Sequence, residues 1–142
     1  MNDSIVPKWF TIVSVAALIW NLMGVMALVM GPVMNDAALN ALTEAERLLY
    51  LETPLWANIA FASAVILGAL GSLALIMKKS ISTIILMVSL LSVLVQMFHA
   101  YFISNSWEVF GPGGAIMPLM VIVIACLLVF LSVKAKSAGW IN

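Results

Sequence analysis

The only histidine in the chain, His99, lies in the stretch LSVLVQMFHAYF (Leu91 to Phe102), three residues after Gln96. An imidazole and a carboxamide at that spacing share one side of a helix. Together they can donate hydrogen bonds to a small polar molecule and accept bonds from it. The polar pattern extends backwards. Ser82, Ser89, Ser92, Gln96 and His99 follow one another at gaps of seven, three, four and three. Those gaps predict one polar helical face, turned away from lipid because polar groups find no partners there.

Asn21 and Asn58 offer two further amides in apolar surroundings. At a rise of about 1.5 Å per residue, Asn21 and Ser92 fall near the middle of a membrane. Gln96 falls about 6 Å further out, His99 about 10 Å and Asn58 about 12 Å. Asn21, Asn58, Ser92, Gln96 and His99 therefore form the candidate polar pocket, a ladder running from mid-depth to the outer surface. The same groups have a structural use, since bonds between helices contribute about 0.6–2 kcal/mol each and select the packing register. That is the commoner use for such groups and the one expected of the ladder as a whole. For His99, close to the outer end, binding and structural roles weigh about equally, because ionisable side chains inside a membrane usually serve function.

The elements that must position these groups follow from composition. Of 142 residues, 65% are hydrophobic and 8% charged, far below the roughly 25% charged residues of an ordinary soluble domain. Four apolar segments, about 9–30, 55–77, 81–102 and 116–133, contain no Asp, Glu, Lys or Arg. Each reaches or nearly reaches the ~20 residues a helix needs to cross the hydrocarbon layer. The period-two alternation of a membrane barrel is absent. The expected fold is an all-α membrane protein, a single domain built as a four-helix antiparallel bundle. The first segment is too long for the apolar core of a signal peptide and is read as a retained span.

Five of the six Lys and Arg residues (Lys8, Lys78, Lys79, Lys134 and Lys136) fall on one side, and Arg47 falls on the other. The positive-inside rule then places both termini in the cytoplasm. The outer loop at 31–53 contains LTEAERLLYLE, where Thr43 and Glu46 fit a helix-starting capping box. A short amphipathic helix lying on the outer membrane surface is expected there. In the second span, Ala60, Ala64, Gly68 and Ser72 recur every four residues, a small-residue ridge for close helix packing within the chain or with a neighbour. Cys126 reads as a small buried hydrophobe.

Several chemistries are not expected. No nucleophile–base pair, phosphate loop or Cys/His metal spacing is present, so the chain is read as neither an enzyme nor a metal or cofactor protein. Met23, Met26, Met30 and Met34 share a face, and thioethers can hold Cu(I), but flexible apolar packing is their expected role. A net charge of zero gives no reason to expect a nucleic-acid partner.

WNLMG (Trp20 to Gly24), LYLETPLWANIAFA (Leu49 to Ala62) and GPGGAIMPL (Gly111 to Leu119) carry a resemblance. With the basic tail, they resemble a family of small four-span proteins of the bacterial inner membrane, often labelled sugar transporters in genomes. The resemblance covers nearly the whole chain. It implies topology and location, and the family has no established catalytic or ligand residues to transfer. Two functions are expected on these grounds. The first is a packing or accessory subunit, joining copies of itself or a larger membrane complex through the ridge. The second is an oligomeric carrier or channel for a small polar solute, using the outward pocket. Beyond the lipid bilayer, the expected partners are a homo-oligomer or that larger complex.

Overall fold

The computed structural model describes residues 5–142. Four helices in it are long and apolar enough to cross a membrane, the architecture of a multi-pass membrane protein. They lie on the four apolar segments: α1 (Lys8–Met30), α4 (Leu55–Ile76), α5 (Ile81–Phe98) and α7 (Ile116–Ser137). Two short helices, α2 (Asp36–Asn40) and α3 (Glu44–Glu52), link α1 to α4. Past its last α-helical residue, α5 widens into a π-turn (His99–Ile103), followed by the short α6 (Ser106–Phe110) and a 3₁₀ turn (Pro112–Ala115) that leads into α7. Thr43 and Glu46 close a capping box on α3, where Glu46 Oε2 accepts from the Thr43 N–H at 3.1 Å.

Helix α4 is the centre of the bundle because its contact faces are made of small residues. Ala57, Ala60, Ala64, Gly68, Gly71 and Ser72 are all buried, and α1 and α5 both pack closely on this helix. Gly68 is the tightest point. A methyl group there would run into the Asn21 carboxamide of α1 and stand 3.4 Å from Ser89 Oγ of α5. The ridge Ala60–Ala64–Gly68–Ser72 is thus occupied by helices of its own chain. Helix α7 packs against α5, whereas α1 and α7 do not approach each other closely along their backbones.

One end of the bundle gathers the basic residues and is sealed. Phe10, Leu75, Leu131, Ala135 and Ile141 form an apolar cluster there. Trp140 caps the cluster with ring centroids 5.5 Å from Trp9 and 5.6 Å from Phe10. The turn between α4 and α5 is a Schellman motif: the Lys79 N–H bonds Ala74 O, and the Lys78 N–H bonds Leu75 O. Its left-handed position is held by Lys78, with φ 58°, where glycine is usual. Asn142 clips onto this turn, donating its N–H to Lys78 O at 3.0 Å and accepting from the Ser80 N–H at 2.8 Å.

Cys126 is exposed on α7 rather than buried. In a bundle of four helices most of each helix's perimeter faces outward, so an apolar sequence environment does not imply an interior position.

Two outcomes test this packing. Gly68→Ala should destabilise the bundle by about 1–3 kcal/mol through overpacking. Adding Asn21→Ala, which removes the group the new methyl meets, should recover part of the loss in thermal or denaturant unfolding in detergent. Lys78→Gly should instead raise stability by about 1 kcal/mol in the same assay, because the left-handed position no longer carries a side chain.

Candidate functional site: a cup at the loop end

The polar residues of the ladder divide into two groups with different surroundings. At mid-depth, the Asn21 side-chain amide donates to Ala17 O at 2.9 Å and across to Ser72 Oγ at 3.2 Å. Ser72 Oγ in turn donates to Gly68 O. Ser89 Oγ crosses from α5 to α4 and donates to Ala64 O at 2.7 Å. These groups tie α1, α4 and α5 together, and their donors are used within the protein.

Nearer the loop end, Asn58, Gln96 and His99 converge on one cavity of about 580 Å³. None of their side chains is hydrogen-bonded to another described residue. Their polar atoms are also absent from the sealed, unpartnered set, which among the described residues is Arg47 Nε, Ser82 Oγ and Thr83 Oγ1. The amides and the imidazole therefore keep access to the cavity. His99 is only 6% exposed, with its ring edge-on to Trp56 at a centroid separation of 5.3 Å. That contact helps to hold the imidazole in place.

Ser92 stands apart from the set. It does not line this cavity, and its hydroxyl donates to Val88 O one turn back. The buried line of α5 runs through Ser82, Leu86, Ser89 and Val93, and Ser92 lies about a quarter-turn away from it.

The π-turn explains the cavity residues that spacing alone did not reveal. The Ser104 N–H bonds His99 O at 2.8 Å, five residues back, so one extra residue is accommodated in that turn. Tyr101 within this turn and Ser104 just after it line the same cavity as Gln96 and His99. Tyr50 of α3 and Ser106 of α6 complete the polar part of the wall. Burial pushes the Tyr50 phenol above its ordinary pKa and the Glu46 carboxylate adds to the shift, so at neutral pH it remains a protonated donor. The sequence signals for these residues were weak. Tyr50 sits on the apolar side of a short helix, and Tyr101 falls on Gln96's side only through the wider turn.

A second cavity of about 410 Å³ lies deeper, between α1, α4, α5 and α7. Trp20, Val65, Leu86, Val93, Ile124 and Leu128 give it an apolar wall. Gln96 lines both cavities, as do Ala27, Phe61, Met117 and Val121, so the two adjoin. Among the described residues, no Asp, Glu, Lys or Arg lines either one. Among the described residues no cluster of three or more His, Cys, Asp or Glu side chains could hold a metal ion. Compared with known proteins, the chain matches no family model, no curated protein and no solved structure.

The division of labour has a stability signature. Asn21→Ala should cost at least the ~0.6–1.7 kcal/mol of an interhelical bond. Gln96→Leu and Asn58→Leu, which remove amides without protein partners, should change unfolding stability by less than about 0.5 kcal/mol or raise it. Destabilisation of all three to the same degree would show that the upper amides also hold the helices together.

Proposed function

We propose that the chain is a binding protein for a small uncharged solute, which it captures from the extracytoplasmic side in the cup at its loop end. The observation that carries this reading is the convergence of Asn58, Gln96 and His99 on one cavity with no side-chain hydrogen-bond partner for any of them among the described residues. Polar groups inside a membrane are costly to leave unpaired, so a site that presents three of them is suited to a polar occupant. The lack of charged residues in the wall favours an uncharged one, since a desolvated ion there would lack a counter-charge.

The opposite end is sealed by the Trp9, Phe10 and Trp140 rings and clipped by Asn142. A cup closed on one side fits the outward-open state of a carrier, or a receptor, better than an open channel. The sidedness comes from the basic residues collected at the sealed end, which by the positive-inside rule face the cytoplasm. The resemblance to bacterial inner-membrane proteins agrees with that placement. An accessory role through the small-residue ridge has less support, because α1 and α5 of the same chain already fill the ridge.

Binding of uncharged solutes to the purified protein in nanodiscs, followed by tryptophan fluorescence with Trp56 beside His99, tests the proposal. A panel running from urea and glycerol to monobutyrin and monocaprylin spans the relevant sizes. Saturable binding of at least one compound is expected, weakened tenfold or more by Gln96→Ala and by His99→Ala. No binding by any member, or binding indifferent to both substitutions, would overturn it.

A further inference from the structure

We infer that the ligand of the cup is amphipathic: an uncharged hydrogen-bonding head sits in the outer cavity, and an apolar tail occupies the inner one after passing between α1 and α7. The inference rests on the binding function proposed above and specifies its ligand class.

Four observations lead to it. First, the two cavities adjoin at Gln96 and differ in chemistry. The outer one presents unpaired amides, an imidazole and phenols, whereas the inner one has a wall of apolar side chains. Second, the Asn21 and Ser89 donors at the inner chamber are already engaged. Asn21 donates to Ala17 and Ser72, and Ser89 donates to Ala64. Gln96 at the junction keeps its whole amide free, whereas deeper only the Asn21 carbonyl oxygen and the Trp20 indole N–H lack a hydrogen-bond partner among the described residues, so a polar head gains most by staying in the outer cavity.

Third, a chamber of about 410 Å³ is far larger than the small voids of ordinary protein interiors. A cavity with such a wall holds water poorly and takes apolar molecules readily. Fourth, the chamber is loosely walled between α1 and α7. Its α1 and α7 walls do not pack closely on each other. Met23 on α1 and Met117 on α7 both line the chamber while being 56% and 59% exposed. Unbranched thioether side chains at the two lips can move aside for a chain of variable shape.

Head and tail thus find different surroundings. The head meets unpaired amides and the imidazole in the outer cavity, and the tail meets the more uniformly apolar wall of the inner one. A single-chain molecule dissolved in the membrane, with a hydroxyl, ester, amide or carbonyl head near the outer surface, matches both compartments.

The experiment compares glycerol, monobutyrin and monocaprylin on the wild type and on Ala125→Phe. Ala125 lines the inner chamber and not the outer one, and a phenyl ring there takes up part of the space a tail would need. Monocaprylin binding should weaken at least tenfold in Ala125→Phe, while binding of compounds without a tail stays within twofold. Equal weakening of all compounds, or none for monocaprylin, would overturn the inference and leave the cup standing. Failure of every compound on the wild type would remove the cup as well.

A second measurement avoids reliance on that variant. With Trp9, Trp56, Trp107 and Trp140 replaced by phenylalanine, Trp20 is the only indole left and it lines the inner chamber. Glycerol esterified with 8-bromooctanoate should quench it saturably, and monocaprylin should reverse the quenching. Quenching that rises in proportion to the brominated compound in the bilayer, without saturation or displacement, would place the tail in lipid and overturn the inference.

Discussion

Three helices meet at Gly68 because it has no side chain. Asn21 from α1 and Ser89 from α5 press on the same spot of α4, and each uses the proximity to make a hydrogen bond to α4 that a larger residue would block. In a membrane there is little hydrophobic drive to bring helices together, so close approach and polar contacts must do that work. The buried alanines, glycines and serine of α4 supply the approach, and the Asn21 and Ser89 bonds set its depth and register. Fixed at mid-depth and sealed at the basic end, the helices leave room between them toward the loop end. The cup is a consequence of where the bundle is fastened.

The polar residues sort by the same logic. At mid-depth the donors of Asn21, Ser72 and Ser89 are used within the protein, and nearer the loop end Asn58, Gln96 and His99 face space. The difference decides what the space can hold. A membrane cavity with paired walls would suit an apolar occupant throughout, whereas one with ion pairs would suit a charged occupant. Here the polar groups of the part near the loop end are neutral donors and acceptors set among apolar side chains, and the deeper part presents fewer of them. The gradient runs along the membrane normal, parallel to the gradient of the bilayer itself from headgroups to chains.

Much of the helix layout was legible in the residues. Four uncharged apolar runs are long enough to span, and the four-residue recurrence of Ala60, Ala64, Gly68 and Ser72 marks a contact face before any partner is known. The capping pair Thr43–Glu46 is local and readable for the same reason. The site was legible in part. Asn58, Gln96 and His99 could be matched by depth, but Ser92 could be separated from them only once the buried line of α5 was seen. Helical spacing assumes a constant turn, and the π-turn at His99 breaks that assumption where it matters most, bringing Tyr101 and Ser104 onto the cavity. Tyr50 arrives from a loop helix whose docking depends on long-range packing. Cys126 illustrates a further limit, since hydropathy alone does not separate a helix surface facing lipid from one facing protein.

Lys78 gives the turn at the sealed end a history as well as a shape. In the folded bundle a glycine would sit more comfortably at its left-handed position. A membrane helix hairpin, however, is oriented during insertion, before that backbone angle exists. In the orientation proposed above, Lys78 and Lys79 are the only basic residues between the second and third spans, and the only charge that can retain this connection on the cytoplasmic side. The mild backbone strain is then a trace of biogenesis: the residue suits the nascent chain at the translocon, and the finished protein tolerates it.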